Sequence, residues 1–226
     1  NQFSSGRDTV FTGIQRLLPG ECLRIDYALN TSLCRYWSAL DIRPRAIGEA
    51  EALEELEPLM QQVTREHMRS DVPFGLFLSG GVDSAILLAL LDEHMQRPLQ
   101  TYSVGFGNAR MRDELDPAAR IAAHFNCRHQ ELRLGREQIL GRLVHSTWAS
   151  DDLMRDYANL PTSLLAERAA QDVKVVFSGE GGDEGFAGYR RYRPNLEMRL
   201  KALLHPGSGG FRTRGQWRGR RAQRVF

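Results

Sequence analysis

Short apolar segments alternate with longer amphipathic ones between residues 72 and 177, and this alternation is the clearest structural signal in the chain. Apolar runs of about four to eight residues are typical of buried strands, whereas apolar residues three and four positions apart are typical of helices. The predicted strands are residues 75–78, 101–106, 129–134 and 173–177. The predicted helices are residues 83–94, 114–125, 136–148 and 162–171. Strands that alternate with helices predict an α/β fold, a doubly wound parallel sheet.

The pattern before residue 72 is weaker. Residues 11–18 and 22–27 alternate in part around a Pro19-Gly20 turn, which predicts a hairpin too small to fold alone and resembling the end of a larger domain. Residues 50–68 have helical spacing, and we expect this helix to be kinked at Pro58 or to begin near it. Its apolar positions are Leu53, Leu56, Leu59, Met60 and Val63.

The composition is that of a globular protein, with 226 residues, 42% hydrophobic and 26% charged. The longest apolar run, residues 85–91, is far shorter than the roughly 20 residues that cross a bilayer. Cys22, Cys34 and Cys127 form no CxxC pair or disulfide framework, and the first residues do not have the charged-then-apolar pattern of a signal peptide. We therefore expect a cytoplasmic protein with no membrane partner, whose cysteines are buried or incidental thiols.

The net charge of +2 conceals an asymmetry along the chain. From residue 190 onward there are 11 basic residues and one acidic residue, whereas the earlier residues carry 19 basic and 27 acidic side chains. Clustered Arg and Gly in this tail can bind phosphate backbones without sequence preference. A nucleic-acid-binding tail is therefore the alternative from a different functional class, although the tail has few aromatic residues.

The strongest chemical feature is the sequence LSGGVDS at 78–84, where a predicted strand meets a predicted helix. The first N–H groups of a helix lack intrahelical partners and lie at the positive end of its dipole, which favours anions. Gly80 and Gly81 let the backbone take conformations closed to other residues and approach a ligand. Ser79 and Ser84 add hydroxyl donors, and Asp83 can hold a divalent cation. The alternative is a Gly-Gly turn with Asp83 or Ser84 as an ordinary N-cap. Neither GxxxxGK[ST] nor GxGxxG is present.

A second glycine-rich segment, FSGEGGDE at 177–184, follows the last predicted strand. Loops at the carboxyl ends of parallel strands converge on one crevice, so both segments can face one ligand. Glu180, Asp183 and Glu184 place three carboxylates together, and carboxylate oxygens near a nucleotide are suitable ligands for Mg²⁺. The alternative is an acidic turn that faces solvent.

Together these segments resemble the synthetase domain of the glutamine-dependent asparagine synthetases. SGGVDS is similar to the pyrophosphate-binding loop of the ATP pyrophosphatases, and SGEGGDE is similar to the family's SGEGSDE-type motif, with Gly182 where Ser is common. The sequence TYSVGF at 101–106 resembles the family's second strand, whose Val meets adenine through its backbone. Residues 11–37 are similar to the end of the family's glutaminase domain and the linker beyond it.

The resemblance implies a sheet of the ATP pyrophosphatase type, which is adenine nucleotide alpha hydrolase-like, and three segments. Residues 1–40 would close a glutaminase domain and form the linker, 41–204 would form an incomplete synthetase domain, and 205–226 would be a basic tail. The implied reaction adenylates the side-chain carboxylate of aspartate with ATP and Mg²⁺, releases pyrophosphate and transfers ammonia from glutamine to give asparagine. A homodimer is the expected oligomeric state.

The resemblance also assigns roles to individual residues. Glu180 and Asp183 are the candidate catalytic residues, and Asp83 and Asp183 are the candidate metal ligands. The candidate ATP and pyrophosphate contacts are Leu78, Ser79, Gly80, Gly81, Asp83, Ser84, Val104, Gly105, Ser178 and Gly179. His129 matches a family His, but a lone His is more often a structural hydrogen-bonding residue.

Three departures from the family pattern limit these implications. The chain opens with Asn1 where the family's glutaminase has a nucleophilic Cys, so we expect no glutaminase activity. The family's catalytic Lys is expected beyond the second loop, and neither Lys174 nor Lys201 has the matching context. Residues 151–161 only partly match the family's segment near the acceptor pocket. A related amidotransferase or cyclase that adenylates another carboxylate is therefore the main alternative.

Overall fold

The computed structural model describes residues 6–95, 97–106, 114–151, 156 and 158–189. Its strands are β1 (Glu21–Ile25), β2 (Thr31–Arg35), β3 (Phe74–Phe77), β4 (Gln100–Phe106), β5 (Arg128–Leu134) and β6 (Val175–Phe177). Its helices are α1 (Glu49–His67), α2 (Val82–Asp92), α3 (Leu115–His124), α4 (Arg136–Ala149), α5 (Asn159–Ala169) and α6 (Gly182–Gly185), and a 3-10 turn spans Ala39–Asp41. All four strands and all four helices predicted between residues 72 and 177 are confirmed, with small shifts at their ends.

The chain divides into two compact units. The larger comprises the described residues of 48–149 and 157–193, and the smaller includes the described residues of 1–47 and 150–156. The smaller unit contains the antiparallel hairpin of β1 and β2. Of the predicted alternation in residues 11–18, only an isolated bridge between Asp8 and Gln15 is present.

The larger unit is built on one parallel sheet with the strand order β5-β4-β3-β6. The chain adds strands outward from β3 to β4 and β5, and it then returns to place β6 on the other side of β3. The strand order therefore reverses between β3 and β6, which is the point where open α/β sheets bind ligands. The predicted doubly wound parallel sheet is confirmed.

Helices cover both faces of this sheet. A buried cluster joins β3, α2 and α3 and includes Leu76, Leu88 and Ala122. Met68, the residue that follows α1, packs against this cluster. Tyr102 belongs to a second cluster, with Leu165, Ala169 and Val173, between β4 and the region of α5. Because consecutive strand residues point to opposite faces, β3 contributes to both clusters, with Leu76 in the first and Phe77 packed against the second.

The prediction for α1 was partly wrong. The helix begins at Glu49 and continues through Pro58, rather than starting near it. Pro58 is exposed, so water can reach the carbonyl that loses its helical hydrogen bond. Leu53, Leu59 and Val63 are 57%, 55% and 42% exposed, so they do not form the buried face.

None of the helices within the described ranges combines the length and the apolar character needed to cross a membrane. The basic tail from residue 190 onward lies outside the described residues, and so does most of the 152–157 part of the 151–161 segment.

Candidate active site

A cavity of about 570 Å³ opens at the carboxyl ends of β3, β4 and β6. Both predicted glycine-rich loops line it, the first after β3 and the second after β6. These strands are hydrogen-bonded neighbours, so the two loops meet although about a hundred residues of sequence separate them. The reversal of strand order thus brings together the two motifs that the sequence analysis singled out.

The first loop connects β3 to α2. The Leu78 N–H donates to the carbonyl oxygen of Tyr102 at 2.8 Å, which continues the β3–β4 ladder by one residue. The helix α2 starts after Gly81, which caps it without a side-chain hydrogen bond. Within the described residues, the N–H groups of Val82, Asp83 and Ser84 have no acceptor, as expected for the first turn of a helix. This turn can therefore bind an anion.

The side chain of Ser84 holds the first loop in shape. It is only 3% exposed, and its Oγ accepts from the Ser79 N–H at 3.2 Å and lies 2.9 Å from the Ser79 Oγ. The same hydroxyl lies 3.0 Å from the Ser79 carbonyl oxygen, to which it can donate. The Gly81 N–H donates to the Ser79 Oγ at 3.2 Å, so this amide is already engaged within the loop.

The backbone of the first loop does not use the special conformations predicted for its glycines, and Gly80 has a packing role instead. Gly81 has φ −87°, and Gly80 is not among the glycines with positive φ. A Cβ on Gly80 would lie 2.6 Å from the Cβ of Pro117, at the start of α3. Gly80 therefore allows close packing against α3, rather than a backbone conformation closed to other residues.

The second loop lies directly against the first. A Cβ on Gly179 would meet the backbone nitrogen of Ser84 at 3.0 Å, and a Cβ on Gly182 would lie 2.6 Å from the Cγ of Asp83. Gly181 has φ +96°, a left-handed conformation that glycine adopts without strain. The absence of side chains at 179 and 182 is thus what allows the loops to approach.

Several carboxylates line this cavity. Asp83, Glu180 and Asp183 all contribute, and so does Glu184, whose Oε1 accepts from the Tyr189 hydroxyl at 2.6 Å. In the part of the chain that the structure describes, no group of three or more His, Cys, Asp or Glu side chains is arranged to hold a metal ion. Two carboxylates facing one cavity nevertheless suit Mg²⁺, which usually keeps several waters and takes its other ligands from substrate phosphates.

Most of the predicted binding residues line the cavity. They are Leu78, Ser79, Gly81, Asp83, Ser84, Val104, Ser178, Gly179, Glu180 and Asp183. Gly80 and Gly105 do not line it: Gly80 packs against Pro117 and Gly105 is buried within β4.

The cavity also includes residues that sequence reasoning missed. Among the polar ones are Ser103, Glu114, Thr162 and Tyr189. The Ser103 hydroxyl donates to the carbonyl oxygen of Leu78, which fixes β4 to the start of the first loop. Glu114 directly precedes α3 and Thr162 lies on α5, and neither belongs to one of the two glycine-rich motifs. Tyr189 follows the second motif by five residues, which was the available signal.

A hydrogen-bond network supports the sheet beneath this site. Tyr102 donates its hydroxyl to the Asp172 Oδ2 at 3.0 Å, and the same oxygen accepts from Gln130 at 2.8 Å and from Arg168 at 3.1 Å. The hydrogen bond from Gln130 is the largest cause that lowers the pKa of Asp172. Burial, and then the hydrogen bond with Asp172, raise the pKa of Tyr102 to about 12. This phenol is therefore a structural donor rather than an acid–base group near neutral pH.

The fold and the cavity together define an α/β protein with a crevice at its topological switch point, lined by two glycine-rich loops. The sequence profile of the asparagine synthase family matches residues 55–225. The chain therefore belongs to the asparagine synthase family, as the two motifs predicted.

Individual relatives agree with this assignment. The chain is 31% identical over 213 residues to asparagine synthetase [glutamine-hydrolyzing] 1 of Bacillus subtilis, a match that covers 90% of the chain and 33% of the relative. It is 28% identical to asparagine synthetase B of Escherichia coli, with 60% and 27% covered. It is 26% identical to the amidase chyE of Penicillium rubens, with 83% and 30% covered. The chain thus spans a third or less of the length of these relatives.

Among solved structures, the chain is similar to the NH3-dependent NAD synthetase of Campylobacter jejuni. The match has a TM-score of 0.42 and 18% identity, and it covers 60% of each chain.

Proposed function

We propose that this chain carries the nucleotide-binding core of an enzyme that activates a carboxylate as its acyl-adenylate. The enzyme then transfers the acyl group to ammonia and releases AMP. The acceptor is the side chain of aspartate, and the intact protein takes ammonia from glutamine to form asparagine. The observation that carries the proposal is the contact between the two loops, in which the Asp83 carboxylate lies against Gly182 beside the first turn of α2. Family membership supports ATP-dependent amidation in general, whereas aspartate and glutamine are part of the proposal.

Activation is needed because the oxygen of a carboxylate is a poor leaving group at neutral pH. When the carboxylate attacks the α-phosphorus of ATP, its oxygen becomes part of the leaving group AMP and pyrophosphate is released. Ammonia then attacks the acyl carbon. The protein's contribution is to hold two anions in the reactive arrangement and to stabilise the negative charge that develops on pyrophosphate.

The first turn of α2 supplies part of that stabilisation. The N–H groups of Val82, Asp83 and Ser84, which have no acceptor among the described residues, lie at the positive end of the helix dipole. They can donate hydrogen bonds to the phosphates. Asp83 and Asp183 would hold Mg²⁺, which neutralises phosphate charge when it is bound. Two carboxylates fit this cation because its remaining positions go to phosphate oxygens and water.

The remaining candidate residues contact either the nucleotide or the acceptor carboxylate. Leu78, Val104, Ser178 and Gly179 bind the adenosine part mainly through backbone groups, which is consistent with their mostly apolar or small side chains. Glu180 lies on the exposed rim of the cavity, and we assign it to contact with the acceptor or the adenylate. Its N–H donates to the Ser178 Oγ at 3.2 Å, which orients the turn that carries it.

The experiment is a measurement of ATP–pyrophosphate exchange by the intact protein with a panel of carboxylates. The panel includes aspartate, glutamate, β-alanine and succinate, and AMP formation with ammonia is measured in parallel. Exchange that depends on aspartate supports the full proposal. Hydrolysis of ATP to ADP and phosphate, with no exchange for any carboxylate, contradicts it.

A second candidate uses the same activation on another acceptor, as in a peptide amidotransferase or a cyclase. Two observations favour keeping it: residues 151–161 depart from the family pattern, and one relative of comparable coverage is named an amidase. Exchange with a carboxylate other than aspartate would select this candidate.

A further inference from the structure

Two cysteines face each other across the hairpin of the smaller unit. In the register of β1 and β2, Cys22 is the direct partner of Cys34. Both are exposed and neither takes part in a disulfide. We propose that Cys22 and Cys34 form a reversible dithiol–disulfide site that reacts with small-molecule disulfides. This inference does not depend on the proposed function.

The pairing places both thiols on the same side of the hairpin. Consecutive strand residues point to opposite faces, and residues directly opposite each other share a face. The neighbouring pair, Leu23 and Leu33, therefore lies on the other face. Sequence spacing alone indicates no such pair, which is why the cysteines were predicted to be incidental.

The hydrogen bonds of the hairpin define which kind of cross-strand pair this is. The Tyr36 N–H donates to the Gly20 carbonyl oxygen at 2.8 Å, and the Asp26 N–H donates to the Asn30 carbonyl oxygen at 3.1 Å. Hydrogen-bonded and non-hydrogen-bonded pairs alternate along an antiparallel ladder. Counting inward from either bonded pair makes Cys22 and Cys34 a hydrogen-bonded pair.

This geometry permits a disulfide but strains it. Hydrogen-bonded partners have Cα atoms about 5.5 Å apart, inside the range of about 4.4–6.8 Å found in disulfides. The Cβ atoms of opposite residues are about 4.5–5.5 Å apart, whereas a disulfide needs about 3.5–4.5 Å. The strands must therefore close by up to about 1 Å. A strained, exposed disulfide is readily reduced, so the site is reversible rather than a permanent staple.

The reaction is an ordinary thiol–disulfide exchange. One cysteine thiolate attacks a sulfur of the small disulfide, forms a mixed disulfide and releases one small thiol. The second cysteine then attacks the protein sulfur of that mixed disulfide and releases the other small thiol. The two protein thiols are oxidised to one disulfide, and the small disulfide is reduced to two thiols that take up the two protons.

The test is an oxidation series on the intact chain in glutathione buffers, followed by alkylation of the remaining thiols under denaturing conditions and peptide mass measurement. We expect Cys22 and Cys34 to lose their labels together and to appear in linked peptides that are lighter by two hydrogens. Cys127 serves as an internal control. Burial raises its pKa to about 11, so little of its reactive thiolate is present and it keeps its label.

A matched variant separates pairing from mere proximity along the chain. The double change Leu33→Cys with Cys34→Ser moves the second thiol by one position and onto the opposite face. We expect this variant to form glutathione adducts in place of the link, and Cys127→Ser to keep the link. Separate adducts on Cys22 and Cys34 of the natural chain, or equal linking in the double variant, would overturn the proposal.

Discussion

The two ends of the parallel sheet each hold a cavity, and the linings of the two cavities differ in kind. The cavity at the amino ends of the strands is the larger, about 880 Å³ against about 570 Å³ at the carboxyl ends. Its lining includes the strand starts Phe74, Gln100 and Arg128, together with prolines and arginines, but no glycine-rich loop. The smaller cavity has two such loops, the first turn of a helix and several carboxylates. We place the proposed binding site in the smaller cavity because the glycine-rich loops converge there, at a switch point of the sheet.

Hydrogen bonding separates the two ends further. At the amino end, the Asp172 carboxylate already accepts hydrogen bonds from Tyr102, Gln130 and Arg168. These hydrogen bonds stabilise the fold. At the carboxyl end, the first N–H groups of α2 have no acceptor among the described residues and are available to a ligand. We therefore expect changes at the carboxyl end to reduce function at constant stability, and changes at the amino end to do the reverse.

The largest functional effect should come from Asp83→Asn. Asp83 is exposed at the start of α2, so the fold loses little, whereas the loss of one anionic ligand weakens stabilisation of the departing pyrophosphate. We expect the aspartate-dependent exchange rate to fall by roughly 10²–10³-fold and the thermal midpoint to stay unchanged. Asp92→Asn, at the other end of the same helix, is the control and should retain exchange. Normal exchange in the Asp83 variant would remove this residue from the site.

A smaller functional effect is expected from Gly182→Ala. The new Cβ would lie 2.6 Å from the Asp83 Cγ and 2.7 Å from its Oδ2, so the flexible carboxylate must move while the backbone stays in place. We expect exchange to fall by about tenfold, the cost of roughly 1.4 kcal/mol, with a higher Mg²⁺ requirement. Gly185→Ala in the same short helix has open space around its Cβ and should behave like the natural protein. Equal exchange rates in the two variants would show that the contact between Gly182 and Asp83 does not contribute to the reaction.

The same substitution at the amino end should have the opposite outcome. A Cβ on Gly75 in β3 would lie 2.9 Å from the Tyr102 ring and 3.0 Å from the Gln100 carbonyl oxygen. Neither neighbour can move freely, because the ring is fully buried and the carbonyl belongs to β4. We expect Gly75→Ala to lower the free energy of unfolding by about 1–3 kcal/mol, measured by denaturant titration, with exchange retained per folded molecule. Gly141→Ala, with no atom within 4 Å of its Cβ, should not destabilise. An unchanged midpoint for Gly75→Ala would show that the sheet can expand there.

The contrast between the ends was only partly predictable from sequence. Strand-loop-helix context predicted the sheet and the meeting of the two loops, because parallel strands place their carboxyl ends at one edge. The contact between Gly182 and Asp83 was not predictable, since it depends on how α6 and α2 are placed in space. The packing of Gly80 against Pro117 was not predictable either, because nothing in the local sequence reveals which residue of α3 lies beside it.

Periodicity also has a limited resolution. It predicted α1 but not its buried face, since Leu53 and Val63 point outward while Thr64 is 5% exposed. A window of helical spacing defines the period of the apolar residues, whereas the packing of the neighbouring helix decides which side is covered. For the same reason, the pairing of Cys22 with Cys34 required the strand register.

The smallest effect in this comparison concerns pH and His129, near the amino end of β5. Its Nδ1 lies 2.9 Å from the Thr101 Oγ1, and its buried Nε2 has no hydrogen-bond partner among the described residues. Burial lowers the pKa of His129 below its ordinary value, so the unfolded chain binds the proton first as pH falls through about 6.5. The free energy of unfolding therefore keeps its full value above this pH and decreases below it, because the unfolded chain binds up to about one more proton than the folded chain.

Denaturant titrations from pH 7.5 to pH 5 should show a smaller decrease in the free energy of unfolding for His129→Gln than for the natural protein. His124→Gln, which removes an exposed imidazole, should keep the natural decline. Equal declines in both variants would assign the pH dependence to other groups and leave the amino end with no role in it.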